Sequence, residues 1–391
     1  MFNQLRQWLI SVLFVIATTC QVEAQDETVH DDSWFPNFGL RNLSDTTIQL
    51  PFNTTLDFYG QFSPVEMVVD DGKDVYATLA DNNHSVSRVG AVIKRQADGR
   101  IFQFQFETSL GIRSSSQVTQ GDKGAFFDWD RSDIRIADFS WKFANGQVFS
   151  VGQGKMATDG VTSMDLSGTG IANSVSIPDI GGSYRFRTDA GVLSDIEIGD
   201  VFQTFDGVRR VRVRFDTRSR YGIWFSVSAG VETLEKNSNQ QDIDASVFYE
   251  SDGPKFKLQA AAGQSISKLD GEETRADTIG SISVLHKATG LNATFATGAR
   301  LGQGSYVYVK LGYITQLLPY GQTAFAVDFQ NSENIVNENA SGNAWGLAAV
   351  QTIDDLNTEV FLGYRTFRFS ENSVIRYRDV NVVFFGARWR F

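Results

Sequence analysis

Asp379-Val380-Asn381-Val382-Val383-Phe384-Phe385-Gly386-Ala387-Arg388-Trp389-Arg390-Phe391 closes the sequence, and its reading decides the fold. Val383, Phe385, Ala387, Trp389 and Phe391 share one face of a period-two pattern, and Gly386, Arg388 and Arg390 share the other. Period two marks a strand, because successive side chains point to opposite faces. One face is aromatic and the other cationic. A soluble sheet could half-bury such a strand. A strand with lipid on one side and a watery lumen on the other satisfies both faces at once.

Working outward, the same alternation recurs. Phe102, Phe104 and Phe106 oppose Gln103, Gln105 and Glu107; Val307, Val309, Leu311 and Tyr313 oppose Tyr306, Tyr308 and Lys310. Sixteen such runs are read at 55–69, 85–95, 100–113, 132–143, 147–155, 208–217, 220–232, 242–250, 255–264, 276–286, 291–299, 306–316, 322–329, 343–353, 358–369 and 378–391. Most exceed the usual globular strand of about 5–6 residues and suit a tilted transmembrane strand of roughly 9–11. The run at 132–143 slips phase near Ala137-Asp138, as a bulge would cause. Short connections such as Asn145-Gly146 and Gln96-Ala97-Asp98-Gly99 carry tight-hairpin chemistry. They alternate strictly with longer ones near 70–84, 114–131, 156–207, 233–241, 265–275, 300–305, 330–342 and 370–377. Short turns on one rim and long loops on the other describe an all-β, antiparallel, up-and-down transmembrane barrel. The third long connection, 156–207, is Gly- and Asp-rich. Weak alternation at 183–187 and 195–205 leaves a count of eighteen strands open beside the preferred sixteen.

Arg6, the apolar Leu9–Ala17 and Val22-Glu23-Ala24 read as a signal peptide over residues 1–24. The sole cysteine, Cys20, lies within it, and a lipoprotein reading is disfavoured because the residues before it lack the usual Leu. Residues 25–54 read as an irregular N-terminal segment and 55–391 as the barrel. The chain holds 35 Lys plus Arg against 46 Asp plus Glu, for a net charge of −11. That balance disfavours nucleic acid, which needs a basic face.

Catalytic and metal patterns are not evident. The three histidines, His30, His84 and His286, show no metal-ligand spacing. Asp165-Leu166-Ser167-Gly168-Thr169-Gly170 has too few acids for a calcium loop. The expectation is a non-enzyme with no cofactor and no metal.

Phe58-Tyr59-Gly60, Ser87-Arg88-Val89-Gly90, the strand Gln147–Gly154 before the long third loop, Arg212-Val213-Arg214-Phe215-Asp216 after it, Tyr308-Val309-Lys310-Leu311-Gly312-Tyr313 and Trp389-Arg390-Phe391 occur in an order that resembles the Gram-negative trimeric general porins. The dicarboxylate-type anion porins are similar in pattern. The resemblance covers about 55–391 and departs in the longer third loop and the N-terminal extension. It implies an outer-membrane location, a homotrimer, and passive diffusion of small hydrophilic solutes past an inward-folded third loop. It also implies that the assembly machinery reads the terminal Trp389 and Phe391. Facing lipid, Arg210, Arg212 and Arg214 would each cost roughly 2–4 kcal/mol at the midplane, so they face the lumen. Arg88, Lys94 and Arg135 join them as a candidate basic wall, and Asp159, Asp165 and Asp179 as candidate acidic loop partners. An anion-biased porin and a plugged structural or adhesive barrel are the alternatives.

Overall fold

A computed structural model describes residues 47–236, 238–268, 274–371 and 375–391. The expected signal peptide, Cys20 and most of the 25–54 segment lie outside the described residues. Strand β1 (Ile48–Leu50) leads into β2 (Thr54–Phe62), which continues past Ser63 as β3 (Pro64–Asp70). β4 (Val75–Asp81) doubles back on β3. Next come β5 (Arg88–Ala97), β6 (Arg100–Ser109), β7 (Ile134–Lys142) and β8 (Val148–Lys155). The third loop then carries the small hairpin β9 (Arg185–Arg187) and β10 (Leu193–Glu197) and a one-turn helix, α1 (Ile198–Val201). The return wall is β11 (Arg209–Asp216), β12 (Ile223–Val231), β13 (Gln241–Asp252), β14 (Phe256–Lys268), β15 (Arg275–His286) and β16 (Leu291–Arg300). It ends with β17 (Gly304–Leu318), β18 (Gly321–Glu333), β19 (Ser341–Ile353), β20 (Thr358–Ser370) and β21 (Val380–Arg390).

Neighbouring staves pair antiparallel, and β21 pairs back onto β3 and β2, closing a barrel of sixteen staves in which β2 and β3 form one. The hairpin at 185–197 belongs to the loop, so sixteen is the count and not eighteen. Closure excludes free edges, the only way a sheet satisfies its backbone in lipid. The outer face is apolar: Val307, Val309, Leu311 and Tyr313 are exposed, while Tyr306, Tyr308 and Lys310 point inward and are buried. Such an inside-out distribution is that of a transmembrane barrel.

The last strand closes it. Gly60 N–H donates to the Phe391 carbonyl at 2.9 Å and Phe391 N–H to the Gly60 carbonyl at 3.0 Å. A Cβ on Gly60 would lie 2.5 Å from the Phe391 ring, so glycine there makes room for the terminal aromatic. Trp389 stands outward, its ring 4.8 Å from that of Phe391, and Arg388 and Arg390 point inward to Glu359.

Three details correct the sequence reading. The stretch 70–84, expected to be a loop, contains β4. Strand β3 takes β4 as its partner where β2 has β5, and Ser63 N–H, at the break, donates to Ser87 Oγ at 2.8 Å. The irregular 25–54 segment includes β1, paired to β2. The bulge lies at Arg135, which the β6–β7 register skips, and not at Ala137-Asp138. An extra residue re-aims the side chains around it. Here it brings Arg135 Nε to 2.7 Å from Glu107 Oε1, inside the barrel.

Candidate functional site in the barrel lumen

The third loop leaves β8 at Met156 and is fastened in sequence along the inner wall. Ala157 N–H donates to Ser228 Oγ at 2.7 Å and Thr158 N–H to Asp244 Oδ2 at 2.8 Å. Leu166 N–H reaches Ser283 Oγ at 3.0 Å. Lys310 Nζ donates to Asp165 Oδ2 and to the Asn173 carbonyl, both at 2.6 Å. On the far side Asn82 Nδ2 donates to the Ile171 carbonyl at 2.9 Å and Gly181 N–H to the Ser115 carbonyl at 2.9 Å. The small residues of the wall give the loop its hydrogen-bond acceptors, which satisfies backbone N–H groups that lie outside any sheet.

Between these fastenings the loop presents an apolar face. Ile177, Ile180, Tyr184, Phe186, Val201 and Phe202 are buried in one core with wall residues of β3, β13–β17 and β19–β21. Phe202 lies 5.4 Å from Phe367, centroid to centroid, and Phe186 5.6 Å from Phe369. A Cβ on Gly342 would lie 2.3 Å from Val201, so the wall is cut back to admit α1. Among the described residues this core takes nothing from β5–β8 or β11. That half of the wall is charged.

All six basic-wall candidates lie on that charged half. Arg88 and Arg135 converge on Glu107, at 3.4 and 2.7 Å. Lys94 is half-buried on β5. Arg210 pairs with Glu232 and Asp242, each at 2.6 Å. Arg212 holds Asp138 with two bonds of 2.8 Å and donates to the Lys155 carbonyl at 3.0 Å. Arg214 pairs with Asp216 at 2.8 Å and donates to the Met156 carbonyl at 2.9 Å. These arginines are neutralised chiefly by acids of the wall itself, and two of them clamp the chain where the loop departs.

The three loop aspartates have other direct partners. Asp159 meets Lys155 at 3.0 Å, Asp165 meets Lys310 at 2.6 Å, and Asp179 accepts from Asn83 Nδ2 at 2.6 Å beside His84 Nδ1 at 3.1 Å. Burial works against the charge of Asp159, yet Lys155, Arg209 and Arg135 hold it below the ordinary carboxylate range. Asp206, at the end of the loop, is pushed up to about 6 by burial and by Asp159 beside it.

Sequence reasoning did not single out the most enclosed cluster. Arg365 donates two bonds of 2.8 Å to Asp328, Tyr308 OH donates to the same carboxylate at 2.9 Å, and Asn173 Oδ1 of the loop accepts from Arg365 Nη2 at 3.3 Å. The alternation of Tyr308 and Lys310 on β17 turned both inward and was the available signal.

No family model matches this chain, and no curated protein matches it in sequence. Its likeness to solved structures is one of shape. The anion-selective porin from Comamonas acidovorans is 13% identical, with 86% of this chain and 100% of that one covered and a TM-score of 0.58. The outer membrane channel DcaP of Acinetobacter baumannii is 12% identical, with 88% and 99% covered and a TM-score of 0.53. OmpT of Vibrio cholerae in its trimer form is 14% identical, with 86% and 99% covered and a TM-score of 0.53. A closed sixteen-stave barrel, apolar outside and charged within, whose shape matches proteins that carry those names, has the fold of the outer-membrane porins.

Proposed function

We propose that the chain is an outer-membrane pore through which small hydrophilic solutes and ions diffuse passively. One observation carries this reading. The loop packs its apolar face against β3, β13–β17 and β19–β21, while β5–β7 and β11 turn a row of paired charges into the barrel. Charged walls in a closed barrel are maintained by water, and rings of such groups set ion preference. Planar-bilayer recording of the refolded protein tests it: stepwise conductance is expected, and a folded sample that never conducts overturns it.

A second reading has its own support. The core between loop and wall is extensive enough to act as a plug, which suits a structural or adhesive barrel. The same recording separates the two. An anion bias is favoured by the convergence of Arg88 and Arg135 on the single carboxylate Glu107; the sign of the reversal potential in a salt gradient decides it. We infer a homotrimer from the trimer form of the similar Vibrio cholerae protein, to be tested by the mass of the detergent-extracted particle. Deleting Phe391 should lower outer-membrane yield if the terminal strand is read by the assembly machinery.

A further inference from the structure

One charge on the outer wall stands among apolar neighbours. In β3, Val65, Met67 and Val69 are 0% exposed beneath the third loop, so Glu66 and Val68 between them face outward. The register agrees. Glu66 lies between Phe385 of β21 and Leu79 of β4, and both of those side chains are exposed on the outer face. Phe385 is at the middle of β21, well away from either end of that strand. Glu66 is half-buried, and among the described residues it has no hydrogen bond and no ion pair. A carboxylate on a lipid-facing strand is costly unless something polar covers it.

Two cations lie across β4 from it. The loop between β6 and β7 runs along the free edge of β4, where Arg113 Nη2 donates to the Leu79 carbonyl at 2.7 Å and Lys123 Nζ to the Ala77 carbonyl at 2.8 Å. Long cations on an exposed edge blunt it against strand pairing. Among the described residues neither is paired with an acid. Arg113 is further committed, since it donates to the Gly124 carbonyl at 3.3 Å and lies 5.4 Å over the Phe126 ring. Lys123 is exposed and holds a single carbonyl. Within one chain β4 separates its ammonium, on the far edge, from Glu66 on β3. The patch therefore carries an unpaired carboxylate on one side, an unpaired ammonium on the other, and Ala77 and Leu79 exposed between them. Opposite charges flanking an apolar centre are complementary to a second copy of the same surface.

We propose that the outer face of β21, β3 and β4, with Lys123 at its margin, is an interface between copies of this chain, in which Lys123 of one copy pairs with Glu66 of the next. The apolar side chains around the pair exclude water and lipid from it. The proposal rests on the homo-oligomer inferred above and names the face that forms it.

Photocross-linking of the full chain refolded in lipid vesicles tests it. Leu79→p-benzoylphenylalanine should give covalent dimers of the chain. Phe295→p-benzoylphenylalanine, outward on β16 on the other side of the barrel, should give cross-links to lipid alone. In the Leu79 background, Lys123→Glu should lower the dimer yield at least about tenfold, because it sets two carboxylates against each other across the interface. Glu66→Lys should do the same, and the two changes together should restore the yield. Heat-dependent gel mobility reports the folding of each variant separately, and Lys123→Glu, in an exposed loop, keeps the test open if Glu66→Lys does not fold. Equal dimer yields from Leu79 and Phe295, cross-links to lipid alone from Leu79, or no loss with Lys123→Glu overturns the proposal. An oligomer by particle mass that cross-links only from Phe295 overturns this face and leaves the homo-oligomer standing. None of these measurements uses current, so a barrel that dimerises from Leu79 yet never conducts overturns the pore reading alone.

Discussion

On β20 the inward positions are Glu359, Phe361, Gly363, Arg365, Phe367 and Phe369; on β11 they are Arg210, Arg212, Arg214 and Asp216. Both strands alternate with period two and both turn apolar residues outward. The difference lies in what each meets inside. β20 receives the aromatic face of the third loop, and its inward charges are closed off in pairs: Arg365 is held bidentate by Asp328, and Glu359 meets Arg388 and Arg390. β11 receives only the loop's departing backbone and pairs its charges with wall acids. A barrel interior thus has no single chemistry: the positions under the loop's aromatic face are mostly apolar with a few closed ion pairs, and those along β11 are charged and paired with acids of the wall.

The sharpest way to break this contrast is to strand a charge on the covered side. Arg365→Ala leaves Asp328, whose side chain is 0% exposed, without its cation. Removing one partner of a buried pair typically costs about 3–5 kcal/mol. Urea unfolding in lipid vesicles should show a loss of that order, and a wild-type midpoint would mean that water reaches this cluster after all.

Next in size is the apolar seal. Phe202→Ala removes a ring that is 1% exposed and packed on Phe367, and truncations of this kind cost about 3 kcal/mol or more in well-packed cores. Unlike the first change it strands no charge, so its main readout is the loop. Protease nicking between β8 and β11 should rise while the barrel stays folded. Unchanged nicking would show that the hydrogen-bond fastenings hold the loop without the core.

On the charged side the same logic predicts a smaller stability cost and a larger functional one. Arg212→Ala forfeits two bonds to Asp138, for about 1.5–3 kcal/mol before water compensates the freed carboxylate. Asp138 keeps 15% side-chain exposure, so the lower end is expected. The freed charge should move ion preference toward cations. An unchanged preference would place Arg212 outside the conducting path.

How much of this contrast was legible in the sequence follows from what enforces each part. The two-sided strands were legible because two solvents impose the alternation residue by residue, as at Phe102–Glu107. Arg135 was placed on the correct side, but its bulge was displaced, since a phase slip in sequence does not say which residue is extra. The partners of Arg212 were not legible. Asp138 and Arg212 stand in one row on β7 and β11 with Gly152 of β8 between them, and that row exists only once register is set. The loop's core was hidden for a related reason: Ile177, Ile180, Tyr184 and Phe202 follow no period, because an irregular chain buries residues wherever its path meets the wall. Lys310 was visibly inward, but nothing local tied it to Asp165 at a separation of 145 residues.

The smallest expected effect tests whether the boundary between the two sides is electrostatically tuned. Asp206 sits where the loop returns, accepting from Gly160 N–H at 3.0 Å and Thr162 N–H at 3.2 Å. Burial and Asp159 raise its folded value from the ordinary carboxylate range to about 6. A carboxylate raised on folding binds more protons in the native state, so stability falls as pH rises from the unfolded value through the folded one. Acidification from about pH 7 to about pH 5 should therefore strengthen the loop closure by about 1 kcal/mol through this group. Asp159, held low, opposes this only at more acidic pH. Amide exchange at Gly160 and Thr162, corrected for intrinsic rates, should slow on acidification in the native chain and lose that dependence in Asp206→Asn. If the variant keeps the native dependence, another group carries it, and the loop's return to β11 is held by packing alone.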